Sequence, residues 1–311
     1  MRKLLIAILL GLVLPVTGQY KIVKAPKSPY EQVWTFISVP YEAKDFLNKK
    51  YPLIISFGGA GTTSTATPSR DSDSTRLTSE DGLPKRIKGG WSPQAVNPLT
   101  NQKVYFIVIQ AQDRWGCPWP TAMDYTLNYC INILHLPIDT NNIFVTGLSF
   151  GGSCAPMYAS TDTIHARRVK AVVSASPQGD FLANLPKIPQ LVKDSVPYRF
   201  WSGTLDGFTN NAKTWLKAYT DAGGVGDLTM YSGGHGGWGA LYGTAAKEPT
   251  VKWSYLLPNG YPTQVNMYEW FATFTTPYIV KPPVKDTIIY DIKNAKRITV
   301  ETVEGNTVIF Q

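Results

Sequence analysis

The 311-residue sequence has few of the residues that bind metal ions or form disulfide networks. It contains only three cysteines and three histidines, and none of them are spaced like the ligands of a metal site. A disulfide-rich scaffold and a metal centre are therefore disfavoured. We expect a protein that needs no cofactor and no metal.

The sequence also lacks an apolar run long enough to span a membrane. A spanning helix needs about 20 apolar residues, and the apolar stretch at residues 4–16 is shorter. It follows Arg2 and Lys3 and precedes the small or polar residues 17–19, which is the layout of a signal peptide. We predict a signal peptide at residues 1–18 and a secreted or periplasmic protein, with an N-terminal membrane anchor as the alternative.

No basic stripe accompanies the formal net charge of +8. The basic residues lie in small separate groups, such as residues 85–88 and 167–170, whereas nucleic-acid binders concentrate them on one surface. We therefore expect no nucleic-acid partner. The chain is 43% hydrophobic, which is enough for a sizeable core, and nothing in the sequence defines an oligomeric state.

What the sequence does contain is a regular alternation of strand-like and helix-like segments. Strand-like runs occur at residues 34–39, 53–57, 104–110, 143–146, 169–174, 198–202 and 228–231, and helical patterns at residues 123–136, from residue 153, and at 212–219. This alternation predicts an α/β domain with a mainly parallel sheet that helices cover on both faces. We assign it to residues 19–277, followed by a proline-led linker and a β-rich tail at residues 278–311.

The clearest chemical signal is the pentapeptide Gly-Leu-Ser-Phe-Gly at residues 147–151, directly after a predicted strand. A G-x-S-x-G turn between a strand and a helix holds its serine in a strained, exposed conformation. Ser149 is therefore the predicted nucleophile. A serine hydroxyl is weakly nucleophilic at neutral pH, so it needs a neighbouring base.

Among the three histidines, His235 is the predicted base. It follows the last core strand in a glycine-rich loop, Gly-Gly-His-Gly-Gly-Trp, which can expose its side chain. His135 ends a helical segment and His165 lies beside two arginines, so both are interpreted as structural or surface residues.

The acid that orients the histidine should follow a strand between Ser149 and His235. Asp206 meets this condition, because it follows the predicted strand at residues 198–202. Asp180 comes one strand earlier and is the competing candidate. Asp221 and Asp227 lie in helix-to-strand connections, at the opposite edge of the sheet.

Acyl transfer also needs N–H donors for the developing oxyanion. The backbone N–H of Phe150 is one predicted donor, because this residue follows the nucleophile. The second is Ala60, with Gly59 as the alternative, in the Gly-Gly-Ala-Gly turn after the strand at residues 53–57. This turn lacks the Lys-Ser/Thr of a phosphate-binding loop.

Two further expectations concern aromatic and cysteine residues. Trp238, Trp115 and Trp119 occur in loops at the predicted strand ends and are candidates for substrate binding, with a purely structural role as the alternative. Cys117 and Cys130 are predicted to form a disulfide if the protein is exported, and Cys154 to be a buried apolar residue.

Several of these segments together resemble the α/β-hydrolase superfamily, and within it the bacterial predicted esterase/peptidase group related to feruloyl esterases and polyhydroxybutyrate depolymerases. The matching stretches are residues 51–61, 82–85, 137–139, 147–152, 203–206, 235–238 and 268–270. The resemblance covers about residues 30–275 and implies the α/β-hydrolase fold. One position departs from it: such proteins usually have His-Gly where this chain has Gly58 and Gly59.

The resemblance and the residues together imply a serine esterase that acts on a small-molecule or polymeric ester, for example acylated or feruloylated polysaccharide or a polyester. A serine peptidase or amidase with the same three residues is the first alternative. A hydrolase fold that only binds its ligand is the second.

Overall fold

The computed structural model describes residues 20–40, 49–62, 74–79, 81–111, 120–244, 247–257, 261–275, 298–301 and 307–310. The chain forms two compact units, residues 1–275 and 276–311. The predicted signal peptide at residues 1–18 lies outside the described residues.

The first unit is built on a central sheet. Its described strands are β1 (Tyr20–Pro26), β2 (Gln32–Ser38), β3 (Tyr51–Phe57), β4 (Gln94–Val96), β5 (Lys103–Tyr105), β6 (Ile107–Ala111), β7 (Ile138–Leu148), β8 (Val169–Ala175), β9 (Tyr198–Gly203), β10 (Gly226–Tyr231), β11 (Trp253–Leu256) and β12 (Pro262–Val265). Eight of them form one sheet in the order β1-β2-β6-β3-β7-β8-β9-β10. The pairs β1–β2 and β2–β6 are antiparallel, and the other pairs in this sheet are parallel.

The described helices of this unit are α1 (Leu83–Lys88), α2 (Pro120–Asn128), α3 (Phe150–Ala159), α4 (Thr163–Arg168), α5 (Ile188–Lys193), α6 (Thr209–Asp221), α7 (Trp238–Tyr242) and α8 (Met267–Thr273). Two 3₁₀ segments, Ser74–Thr78 and Asp180–Lys187, and a π-helical turn, Tyr129–Ile133, complete the set.

Helices cover both faces of the sheet because successive strand residues point to opposite sides. Ile55 and Val145 pack into a core with α2, α3 and α6, whereas their neighbours Ile54 and Phe144 pack into a second core with α1, α7 and α8. Strands that are buried on both faces read as continuous apolar runs. This arrangement confirms the predicted fold class.

The structure differs from the sequence prediction in several elements, among them strands β4, β11 and β12, which were not predicted. The run at residues 104–110 divides at Phe106, because residues 103–105 pair with β4 in a separate ribbon and only residues 107–111 enter the central sheet. Strand β1 was not predicted. The helical segment at residues 123–136 is an α-helix only to Asn128 and continues as the π-helical turn.

The second unit contains one described hairpin. Strands β13 (Ile298–Glu301) and β14 (Thr307–Phe310) pair antiparallel, with Ile298 opposite Phe310. This hairpin lies in the segment that was predicted to be a proline-led linker and a β-rich tail, residues 278–311. Within the part of the chain that is described, no helix has the length and apolarity to cross a bilayer.

Candidate active site

The nucleophile candidate lies in a strained turn between β7 and α3. Ser149 has φ 55° and ψ −119°, which places a residue with a side chain in the left-handed half of conformational space. Its N–H donates to the carbonyl oxygen of Ala175 at 2.8 Å, which fixes the turn against the end of β8. The predicted G-x-S-x-G turn is thus present as a sharp strand-to-helix connection.

The two glycines of this turn allow backbones to approach closely. A Cβ at Gly147 would lie 2.0 Å from the carbonyl oxygen of Gly151. A Cβ at Gly151 would lie 2.2 Å from the carbonyl oxygen of Phe57 and 2.5 Å from that of Gly58. The end of β3 and the glycine-rich turn after it therefore lie directly against the first turn of α3.

Three predicted residues form one hydrogen-bonded chain. The Oγ of Ser149 lies 2.8 Å from Nε2 of His235, and Nδ1 of His235 lies 3.0 Å from Oδ2 of Asp206. A carboxylate only accepts hydrogen bonds, so Nδ1 carries the proton and Nε2 is left to accept the proton of the Ser149 hydroxyl. The three residues come from the carboxyl-terminal ends of β7, β9 and β10, which meet at one edge of a parallel sheet.

Asp206 is held by its own turn. Its side chain is fully buried, its Oδ1 accepts the N–H of Phe208 at 2.9 Å, and its Oδ2 accepts the hydroxyl of Ser202 at 3.4 Å. Burial raises the pKa of the Asp206 carboxyl, but the hydrogen bonds from the Phe208 N–H and His235 outweigh it and hold the pKa below its ordinary value. The carboxylate is therefore ionised at neutral pH.

Two buried hydroxyls behind Asp206 were not singled out by the sequence analysis. Ser202 Oγ and Thr209 Oγ1 lie 2.7 Å apart, and Thr209 donates to the carbonyl oxygen of Gly203 at 2.6 Å. These bonds join the end of β9 to the start of α6 on either side of the acid. Isolated serines and threonines carry no periodic signal. The one feature of the sequence that could have indicated them is their short spacing from Asp206.

Two aromatic rings pack against the His235 imidazole. The centroid of the imidazole lies 5.3 Å from the ring centroid of Phe208 and 5.4 Å from that of Trp238, and both pairs are edge-on. The structure thus places Trp238 beside the proposed base, and it adds Phe208 to the surroundings of the site. The other two candidate binding residues, Trp115 and Trp119, lie outside the described residues.

The predicted oxyanion donors lie in the two segments that Gly151 brings together. Phe150 is the first residue of α3, where backbone N–H groups have no partner within the helix. Ala60 lies in the exposed part of the turn that follows Gly58. The structure therefore brings the turn of Ala60 to the helix of Phe150, and their roles as donors remain a prediction.

The place of the missing side chain at residue 58 is filled by two neighbours. A Cβ at Gly58 would lie 1.8 Å from Oγ1 of Thr62 and 2.9 Å from Nε2 of Gln110. Both side chains are buried, and Oε1 of Gln110 accepts the hydroxyl of Ser56 at 2.8 Å. Any side chain at residue 58 would require both neighbours to move.

Three of the alternative acids and bases have other partners, and Asp180 lies in a separate element. Asp180 begins a 3₁₀ segment, Asp221 pairs with Lys217, and Asp227 pairs with Arg199. His165 contacts Asp162 at 2.8 Å and Asp124 at 3.1 Å, in a cluster between α2 and α4. Within the described ranges, no group of three or more His, Cys, Asp or Glu is arranged to hold a metal ion.

The predicted disulfide between Cys117 and Cys130 is wrong. Cys130 is a free thiol in the π-helical turn, and its side chain is fully buried in the core. Cys154 is the cysteine that is disulfide-bonded. Sequence separation suggested the first pairing, but it contains no information on the direction of the Cys130 side chain. Cys117 lies outside the described residues.

Of the comparisons with known proteins, the one with solved structures found matches. No family model matches the sequence, and no curated protein matches it. Among solved structures, a ferulic acid esterase superposes with a TM-score of 0.50 at 16% identity, over 71% of this chain and 93% of that chain. A thermostable esterase (TM-score 0.47, 18% identity) and an acylaminoacyl peptidase from Pyrococcus horikoshii (0.48, 11%) are matched over 75% and 76% of this chain. This chain spans 59% of the length of the thermostable esterase and 40% of that of the peptidase.

The match to the ferulic acid esterase and the strand order define the class of structure. The chain has the α/β-hydrolase fold, with a mostly parallel eight-stranded sheet between helices. At sequence identities of this size, a structural match establishes the fold and does not establish the function. The chemistry must be argued from the residues of the site.

Proposed function

We propose that the chain is a serine hydrolase that cleaves carboxylic esters through an acyl-enzyme formed on Ser149. One observation carries the proposal. The Oγ of Ser149, the imidazole of His235 and the carboxylate of Asp206 form an unbroken chain of contacts at 2.8 Å and 3.0 Å. A serine beside a base that is itself oriented by a third group is the arrangement that activates a hydroxyl nucleophile.

In the first half of the reaction, Ser149 Oγ attacks the carbonyl carbon of the ester and Nε2 of His235 takes the hydroxyl proton. Asp206 holds the tautomer with a proton on Nδ1 and stabilises the imidazolium that forms. The tetrahedral intermediate then expels the alcohol, which leaves with the proton from Nε2. The acyl group remains bound to Ser149 as an ester.

In the second half, a water molecule gives its proton to His235 and attacks the acyl carbon. The second tetrahedral intermediate collapses, Ser149 leaves with the proton from Nε2, and the carboxylic acid is released. The N–H groups of Phe150 and Ala60 stabilise the negative oxygen of both intermediates. No cofactor or metal takes part in either half.

The surroundings of the base favour an ester over an amide. The rings of Phe208 and Trp238 pack against the imidazole and give this side of the site apolar neighbours. An alkoxide or phenoxide leaves with little assistance, whereas an amine must be protonated by His235 in the right position. We infer an ester with an apolar or aromatic group, such as an acyl or feruloyl group on polysaccharide, or a polyester. Export through the signal peptide at residues 1–18 belongs to the same proposal.

A peptidase or amidase with the same three residues is the second candidate. It is favoured by the same chain of contacts, because esters and amides share the tetrahedral oxyanion intermediate. An inactive binding protein is a weaker candidate, since binding alone does not require a strained serine at φ 55° hydrogen-bonded to a histidine.

The test is a set of matched substrates with two serine variants. The chain without residues 1–18 is assayed on aryl acetates, methyl ferulate, and amides with the same acyl groups. We expect kcat/KM for esters to exceed that for amides by at least about a hundredfold, or about 2.7 kcal/mol in barrier height. Ser149→Ala should abolish turnover, whereas Ser153→Ala, on the same helix, should retain it. Comparable kcat/KM values for ester and amide would favour the peptidase, and turnover unaffected by Ser149→Ala would refute both candidates.

A further inference from the structure

The turn that contains Ala60, the predicted second oxyanion donor, is closed by hydrogen bonds from Thr62, a residue that has no role in the proposed mechanism. The carbonyl oxygen of Gly59 accepts two hydrogen bonds from Thr62, one from the backbone N–H at 3.0 Å and one from the hydroxyl at 2.8 Å. Thr62 is 4% exposed, so this double contact lies on the inner side of the turn.

The contact between Thr62 and the carbonyl oxygen of Gly59 also determines the direction of the backbone N–H of Ala60. The C=O of Gly59 and the N–H of Ala60 belong to one planar trans peptide, in which the two groups point in opposite directions. Because the carbonyl is held toward buried Thr62, the N–H of Ala60 is directed away from the interior. Rotation of this peptide would instead present a carbonyl oxygen to the oxyanion, which is repulsive.

The same threonine occupies the space of the absent side chain at residue 58. Its Oγ1 would lie only 1.8 Å from a Cβ at Gly58, and Nε2 of Gln110 would lie 2.9 Å from that Cβ. Gln110 is held in turn by the hydroxyl of Ser56, from the last part of β3. Thr62, in the same turn, and Gln110, in β6, therefore occupy the space that a side chain at residue 58 would need.

We propose that Thr62 is a positioning residue, whose hydroxyl fixes the Gly59–Ala60 peptide in the orientation that stabilises the oxyanion. This inference rests on the proposed serine hydrolase function. Thr62 does not touch the substrate in this account. It acts through the backbone N–H of Ala60.

Three substitutions at residue 62 give graded predictions. Thr62→Ala removes the hydroxyl donor and leaves the backbone N–H bond, and we expect kcat for p-nitrophenyl acetate to fall by about tenfold to a hundredfold, less than for a complete loss of a donor. Thr62→Val also places a methyl group where the hydroxyl stood 2.8 Å from the carbonyl oxygen, which is too close for carbon, so its kcat should be lower still. Thr62→Ser keeps the donor and should stay within about threefold of the wild type.

The decisive readout is binding of phenylboronic acid, which forms a tetrahedral adduct with the serine and places a boron-bound oxygen in the oxyanion position. Its inhibition constant should rise in Thr62→Ala by about the same factor as kcat falls, while KM changes less than about threefold. Thr273→Ala is the matched control, because Thr273 is equally buried and also donates to the carbonyl oxygen three residues earlier, at 2.7 Å, but in α8. It should leave kcat and boronic acid binding unchanged.

The outcomes separate this inference from the function on which it depends. Absence of ester turnover in the wild type would refute the proposed function. An active wild type together with unchanged kcat and boronic acid binding in Thr62→Ala would refute only the role of Thr62. A lower kcat with unchanged boronic acid binding would also refute it, because the effect would then not act on the oxyanion.

Discussion

The carboxylate of Asp206 is fully buried, whereas the imidazole of His235, 3.0 Å away from it, is 32% exposed. The charge that orients the base is therefore shielded from solvent, and the base itself reaches the surface where a substrate can approach. A buried charge of this kind is tolerated because the N–H of Phe208 and the imidazole both donate to it.

The first prediction concerns this pair. Asp206→Asn replaces an acceptor with an amide that can donate to Nδ1, so it favours the tautomer whose Nε2 carries a proton and cannot accept one from Ser149. We expect kcat for an aryl ester to fall by about 10⁴-fold with an unchanged fold, as judged by circular dichroism. Asp180→Asn, the competing acid, should retain wild-type turnover. The reverse result would assign the acid to Asp180.

The second prediction concerns the close approach at the nucleophile turn. Gly151→Ala would place a Cβ 2.2 Å from the carbonyl oxygen of Phe57, and backbone must shift to accommodate it. We expect the free energy of unfolding to fall by about 2 kcal/mol or more, in denaturant titrations. Gly207→Ala is the control, because no atom lies within 4 Å of its added Cβ, and it should change stability by less than about 0.5 kcal/mol. Equal stability of the two variants would contradict the packing described here.

The third prediction concerns stability in acid. Burial raises the pKa of Asp124, but hydrogen bonds and charges of His165 and Arg168 outweigh it and hold the pKa below its ordinary value. Because the folded-state pKa is the lower one, its contribution to the free energy of unfolding is present above about pH 4 and is lost as the pH falls through the folded-state pKa. The carboxylate is partly exposed, so we expect about 1 kcal/mol.

Urea titrations between pH 2.5 and pH 6 measure this contribution. Asp124→Asn should lower the free energy of unfolding at pH 6 and reduce its decline below pH 4. Asp221→Asn, which removes an exposed ion pair with Lys217, should keep the wild-type decline. An identical pH dependence in the wild type and in Asp124→Asn would show that the cluster does not contribute.

The fourth prediction concerns the cysteines. Cys154 is disulfide-bonded and Cys130 is free, and the chain has only one further cysteine, Cys117. We therefore expect peptide mapping of the oxidised protein to find Cys117 joined to Cys154. Burial raises the pKa of the Cys130 thiol to about 12, so Cys130 should resist alkylation until the protein is unfolded. Recovery of a Cys117–Cys130 peptide would contradict this pairing.

Much of the fold could be predicted from the sequence because strands buried on both faces appear as apolar runs, such as residues 53–57 and 169–174. Strand β1 was missed because it lies at the edge of the sheet, where Tyr20 and Ile22 are only partly buried, Lys24 is exposed and the alternation is weak. The division of the run at residues 104–110 depends on which strand each half pairs with, which is tertiary information.

Some residues of the candidate site could also be predicted from the sequence, and others could not. Ser149 and His235 stand in short glycine-rich segments, and the chain order restricts the acid to a few positions, so all three could be selected from the sequence. Thr62, Ser202 and Thr209 could not be selected in this way. Their hydroxyls contact carbonyl and carboxylate groups that only the folded chain brings within hydrogen-bonding distance. The Cys154 disulfide was missed for a similar reason, since pairing depends on side-chain direction.

The central claim is that His235 activates Ser149 as a nucleophile, and covalent labelling tests it most directly. The wild type is incubated with a fluorophosphonate probe, and the labelled residue is identified by peptide mass spectrometry. We predict a single adduct on Ser149, formed at least about a hundredfold more slowly in His235→Ala and absent in Ser149→Ala. An adduct on a different serine, or an equal labelling rate in His235→Ala, would contradict the account.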